Sequence, residues 1–202
     1  SYTGSYPGAN IATLSALEVL GVSAIITSSC GSSEYGATHP NFNWIDIEKY
    51  LHDHKFFSNK SSLASIGGKL DLGLQLNSKG RETCESSIYS SDLELLNIGD
   101  PNKNLEKRIS FFKKGEKSIS AFINIGGGVF SVGDSLKRSS LPAGIIYPDE
   151  INIDSITTTI EYFLDNDIPA ININHINMLA EWYELPYPPN NRYKFGLSSL
   201  FY

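Results

Sequence analysis

The run Ser28-Ser29-Cys30-Gly31-Ser32-Ser33 packs four hydroxyls and a thiol into six residues. A hydroxyl or thiol attacks a carbonyl carbon once a neighbouring base removes its proton. Ser29, Cys30, Ser32 and Ser33 are therefore the candidate nucleophiles for acyl-transfer chemistry, with Glu34, His39 and His175 as candidate partners; Ser29 with His175 or His39 is the set carried forward. The chain has no Gly-x-Ser-x-Gly elbow, which excludes an ordinary α/β-hydrolase arrangement. Triads are defined by a geometry that spacing does not reveal. His39 stands before Pro40 and reads as a loop hydrogen-bonder, whereas His175 follows a strand pattern and is the better placed. His52 and His54, at i and i+2 on a helix, point apart and share no metal.

Anion binding is the other chemistry these residue types offer. Gly4-Ser5-Tyr6-Pro7-Gly8 opens a helix, where backbone N–H groups face outward toward a carboxylate or phosphate. Gly126-Gly127-Gly128 ends a strand, where a bare backbone can approach a ligand or form an oxyanion hole. A tight turn and close loop packing explain the two motifs equally well. Neither is a P-loop, for want of the Gly-Lys-Ser/Thr ending, and no Gly-x-Gly-x-x-Gly fingerprint follows a strand. The candidate ligand-binding set is Gly4, Ser5, Ser29, Gly31, Ser32, Asn124, Gly126 and Gly127, and no metal or cofactor is expected. Cys30 and Cys84 make neither a zinc site nor a disulfide scaffold. A bridge between them stays open, but free or buried thiols are the expectation.

Hydrophobic residues make up 41% and charged residues 19%, values of a globular chain with an ample core. The net charge of -6 argues against nucleic acid as a partner. Lys103 to Lys117 is the one local basic cluster. It reads as a solvated helix face, as do Glu48, Lys49 and Asp53. No apolar run reaches the length of a membrane span, and no signal peptide is visible; the start at Ser1 is expected to reflect processing or cutting, by which any targeting segment would be lost.

Periodicity supplies the elements that must position these groups. Helices are expected over Ala9–Leu20, around Trp44–Leu51, over part of Ser78–Leu96 after an Asn77 or Ser78 cap, over Pro101–Lys114, from an Asp154 cap to Leu164, and over His175–Tyr183. Strands are expected over Val22–Thr27, Ser62–Ile66, Ser120–Ile125 and Ile168–Ile173, with an irregular aromatic tail over 186–202. The alternation predicts one α/β domain over 1–202: a mostly parallel central sheet with helices on both faces. Ligands of such sheets bind beyond the carboxyl ends of the strands. No hairpin signal is visible, and the strand that should precede the first helix is expected to be missing.

Several blocks carry a family likeness. They are Thr3-Gly4-Ser5-Tyr6-Pro7-Gly8-Ala9-Asn10-Ile11-Ala12, the stretch from Ile25 through Ser28-Ser29, Gly31-Ser32 and Tyr35-Gly36-Ala37, and Pro40-Asn41-Phe42-Asn43-Trp44-Ile45-Asp46. Ser65-Ile66-Gly67-Gly68, Asn124-Ile125-Gly126-Gly127 and His175-Ile176-Asn177 through Tyr183-Glu184-Leu185-Pro186 continue it. On these the chain resembles the poly-gamma-glutamate system protein family. The resemblance implies a role in capsule biosynthesis, outside the cytoplasmic membrane and anchored through a segment absent here. Poly-γ-glutamate or glutamyl oligomers and the membrane synthase or export subunits would be the partners. It supplies no reaction and no catalytic residues, and Cys30 stands where the family leads one to expect a small or apolar residue. The expected function is an accessory protein of poly-γ-glutamate synthesis or export that binds glutamyl carboxylates at the strand-end loops. The alternatives are a γ-glutamyl hydrolase or transferase with a serine nucleophile, and a scaffold for the synthase that presents the aromatic tail from Trp182.

Overall fold

The computed structural model describes residues 1–33, 36–114 and 118–185. The expected tail over 186–202, and Glu34, lie outside the described residues. In chain order the elements are β1 (Tyr2–Thr3), α1 (Pro7–Val19), β2 (Ile26–Ser29), β3 (Thr38–His39), β4 (Phe42–Asn43), α2 (Trp44–Asp53), β5 (Ser61–Ser65) and α3 (Ser78–Ser90). They continue with β6 (Glu94–Leu95), α4 (Pro101–Lys113), β7 (Phe122–Ile125), α5 (Val129–Val132), α6 (Ser135–Ser140), β8 (Gly144–Ile146), α7 (Thr159–Asp165), β9 (Ala170–Ile173) and α8 (Ile176–Trp182).

Local chemistry sets the boundaries. Pro7 opens α1, where its missing N–H costs nothing. Asn43 caps α2 by accepting from Ile45 N, while Asp46 accepts from Asn43 N at 2.9 Å, a reciprocal capping box. Asn77 caps α3 and Asp100 caps α4. The expected Asp154 cap is corrected: α7 starts four residues later, at a Thr158 cap. Thr158-Thr159-Ile160-Glu161 is itself a Thr-x-x-Glu signal, and the Thr158 hydroxyl donates to Glu161 Oε2 at 2.9 Å. The first long strand also starts later than expected. The Asn59 side chain takes Ala24 N and Val22 O, so that segment's backbone is satisfied without a strand partner. Ser28 and Ser29, expected in a loop, are consequently strand residues.

Strands β1, β2, β5 and β6 form an all-parallel sheet in the order β1-β2-β5-β6. A second group runs β7-β9-β8, with β7 parallel and β8 antiparallel to β9. The edges meet: Ile125 N donates to Ser1 O at 2.9 Å and Ser1 N to Ile123 O at 2.7 Å. The continuous order is therefore β6-β5-β2-β1-β7-β9-β8. The strand expected to be missing is present as β1, and β3-β4 is an antiparallel hairpin that the sequence reading did not find.

Helices cover both faces. One core joins Leu14 of α1, Trp44 and Ile45 of α2, and Cys84 and Ile88 of α3 to Ile26, Ala64 and Ile125 of the sheet. The other joins Phe112 of α4, Val132 of α5 and Ile160, Phe163 and Leu164 of α7 to Phe122, Ile146 and Ala170. Strand β7 divides between them by its period of two: Phe122 belongs to one core, Ile123 and Ile125 to the other. Phe122 and Phe163 stack with centroids 4.7 Å apart, and Phe112 meets each edge-on.

Three expectations about side chains are corrected. Cys30 and Cys84 form a disulfide, because the end of β2 and the middle of α3 bring their Cα atoms to 5.7 Å. Glu48 is buried against Ser61 Oγ, which donates to it at 3.0 Å. Arg108 is buried as well, because the inward stripe of α4 is Asn104, Leu105, Arg108 and Phe112. No helix among the described residues is long and apolar enough to cross a membrane.

Candidate functional site

From β1 the chain winds outward through β2, β5 and β6, then returns to place β7 on the other side of β1. The strand order therefore reverses between β1 and β7, where open α/β sheets leave a crevice at their carboxyl ends. A cleft of about 510 Å³ lies there, walled by the loops that leave β1, β2, β5 and β7 and by α6.

Beneath it runs a row of hydroxyls. Thr3, Ser29 and Ser65 are partners in register on β1, β2 and β5, so their side chains share one face. Thr3 Oγ1 is buried and has no hydrogen-bond partner, and Ser29 Oγ lies 3.1 Å from Ser65 Oγ. Behind Ser65 stands Arg108. Its Nη2 donates to Ser65 Oγ at 3.3 Å and contacts Asp71 Oδ2, its Nε donates to Asn104 Oδ1 at 3.0 Å, and the guanidinium carbon lies 5.9 Å from the centre of the Phe130 ring.

Charge in the walls is unbalanced toward the positive. Asp71 is neutralised by Arg108, and Asp134 accepts from Leu136 N and Lys137 N through Oδ1 at the start of α6. Lys69 and Arg138 also line the cleft, and neither forms an ion pair among the described residues. Arg138 Nη1 is held 3.3 Å from Gly127 O, which keeps the guanidinium over the β7 loop. The loop carrying Lys69 is bent hard: Leu70 and Asp71 both take positive φ, at 54° and 65°. Such non-glycine residues cost of order 1–3 kcal/mol each and persist where the surroundings fix them. The Asp71–Arg108 pair and the Gln75 side chain, which accepts from Lys69 N at 2.8 Å, do that here.

The candidate ligand-binding residues divide. Ser5, Ser29, Gly31, Ser32 and Gly127 line the cleft. The N–H groups of Gly4, Gly31 and Gly126 extend the sheet instead, donating to Ser29 O, Ile66 O and Ile173 O. Close approach demands glycine at two of these points. A Cβ on Gly31 would lie 2.7 Å from Ile66 O, and one on Gly126, at φ 89°, would run into Thr3 Oγ1. Gly127 N makes no hydrogen bond among the described residues. Ser5 Oγ accepts from Ser33 N and keeps its own proton, whereas Ser32 donates to Ser33 O. Asn124 lies outside the lining, its amide holding Gly126 O and Asn172 Oδ1, both at 2.9 Å.

The histidines do not join them. His39 is exposed on β3, with Nδ1 accepting from Asn41 N at 3.2 Å. His175 is an exposed αL residue at the start of α8. Neither borders the cleft, so Ser29 has no imidazole beside it among the described residues. No three His, Cys, Asp or Glu side chains gather as a metal site there either.

Sequence reasoning missed Thr3, Ser65, Lys69, Asp71, Arg108 and Arg138. Gly67-Gly68-Lys69 after a strand pattern was a usable signal for Lys69, and the i, i+4 spacing of Asn104, Arg108 and Phe112 was one for Arg108. Comparisons with models of protein families, with curated proteins and with solved structures find no match for this chain.

Proposed function

We propose that the protein is an accessory of poly-γ-glutamate synthesis or export that holds the pendant α-carboxylates of a γ-glutamyl chain in the switch-point cleft. The observation that carries this reading is the donor set lining one cleft: the hydroxyls of Ser5 and Ser29, the backbone of Gly127 and the cations Lys69 and Arg138, with Asp71 already paired to Arg108. Carboxylates accept several hydrogen bonds and donate none, and bonds that they receive from cations are roughly twice as strong as neutral ones. Two cations also offset the repulsion that a net charge of -6 imposes on an acidic polymer. The resemblance to the poly-gamma-glutamate system family supplies the polymer, the synthase and export subunits as partners and the extracytoplasmic setting. A buried disulfide is at home in such an oxidising compartment. Hydrolysis by Ser29 is the weaker reading, since neither His39 nor His175 reaches it.

Calorimetry with γ-glutamyl oligomers of defined length tests the proposal, with mass spectrometry of the recovered ligand. Binding that weakens with salt and falls about tenfold or more in K69Q/R138Q, with the oligomer intact, is the expected result. Equal affinity in the double variant would move the site elsewhere, and new shorter oligomers would make the protein a hydrolase.

A further inference from the structure

We propose that Arg108, which does not line the cleft, fixes the direction of a hydroxyl chain so that Ser29 always presents its proton to the ligand, selecting carboxylates over neutral carboxamides. The ligand class rests on the reading above; the direction of the chain does not.

The argument is a count of protons. A guanidinium carries donors only, so Ser65 Oγ must accept from Arg108 Nη2. Ser65 then has its own proton to place, and its other partner is Ser29 Oγ at 3.1 Å. Ser29 Oγ accepts that proton and has no second partner in the protein among the described residues. Its own proton is left to point into the cleft that Ser29 lines. Because the chain starts at a buried cation, each bond polarises the next in the same sense. A Ser29 oxygen that receives such a bond is a poor nucleophile and a strong donor. One strand away, in register, the Thr3 hydroxyl is buried against Gly126, so Ser29 is the hydroxyl of this row that offers its proton to one oxygen of a carboxylate. A carboxamide offers one acceptor, no charge and two protons that meet donors.

Two measurements decide it. Neutron diffraction from deuterated crystals without ligand should place the Ser65 deuteron on the line to Ser29 Oγ and the Ser29 deuteron in the cleft. A Ser29 deuteron aimed at Ser65 would overturn the proposal, whatever the protein binds. The second is affinity for a γ-linked glutamate trimer and for its α-carboxamide counterpart. S29A should lose about tenfold on the trimer and little on the carboxamide. S65A should lose less, S65T should restore the loss, and S29A/S65A should equal S29A, because Ser65 acts only through Ser29. Additive losses, or equal losses on both trimers, would overturn it. Absence of binding of either trimer by the unmodified protein would refute the ligand reading, and the deuteron positions alone would then judge the chain of hydroxyls.

Discussion

Replacing Glu48 with glutamine isolates one buried charge and should make stability far less sensitive to pH. Glu48 is 3% exposed on α2. Its Oε1 accepts from Ser61 Oγ; Ser61 Oγ lies 2.6 Å from Ser28 Oγ, which in turn accepts from Trp44 Nε1. Burial pushes its carboxyl from the usual 4.5 to about 7, although hydrogen bonds from Ser61 and the nearby charge of Lys60 pull the other way. Between those two pH values the folded protein keeps a proton that the unfolded chain has released. The stabilisation is therefore complete below the unfolded value and is lost as pH climbs through the folded one. At about 1.4 kcal/mol per pH unit the loss amounts to about 3 kcal/mol by pH 8. Glutamine keeps the acceptor and cannot ionise. E48Q should match the parent near pH 4.5 and exceed it by about 3 kcal/mol at pH 8, or roughly 6–12 °C in melting temperature. Urea titrations at steps from pH 4.5 to 8, fitted with a shared slope, give the difference directly. A gap of the same size at every pH would refute the reasoning, because it would place the effect in packing and not in ionisation.

Reduction of Cys30–Cys84, which closes a loop of sequence separation 54, should cost about 4 kcal/mol in urea; the C30A/C84A protein should show no response to the same reductant. G126A should lose more than about 2 kcal/mol, since its Cβ meets Thr3 at a backbone angle that L-residues avoid. G8A, with open space around the added methyl in the first turn of α1, should be neutral or gain up to about 1 kcal/mol, and thermal melts of the pair separate the two cases.

Much of the architecture was legible because long elements announce themselves. The α1 and α4 stripes, the apolar run of β7 and the cap at Asn77 are local signals, and local signals survive in a sequence. Strand β1 was not legible: two residues carry no period, and Tyr2 and Thr3 are extended because β2 and β7 lie on either side. Glu48 and Arg108 read as surface charges because a helical pattern says which residues share a side, not which side a charged one takes. The cleft was half legible. The glycine and serine loops marked its rim, but the hydroxyl row beneath it depends on residues 3, 29 and 65 meeting through strand register. The bridge from Cys30 to Cys84 depends likewise on where α3 lands. The histidines misled for the converse reason: chemical aptitude is written in a residue's type, whereas proximity is not.

The two-residue strand β1 has a mechanical consequence. The other strands of the four-stranded group are tied to one another by ladders that do not involve β7, as are β8 and β9 on the far side. Backbone hydrogen bonding across the middle passes through Ser1, Tyr2 and Thr3, while the core that holds Ile26 and Ile125 packs across the same line. That line lies directly under the cleft, with Ser29 on one bank and Gly127 and Arg138 on the other. A molecule gripping both banks would brace the sheet across its two-residue strand. Occupancy and rigidity would then be coupled, with the filled protein resisting shear along this seam better than the empty one.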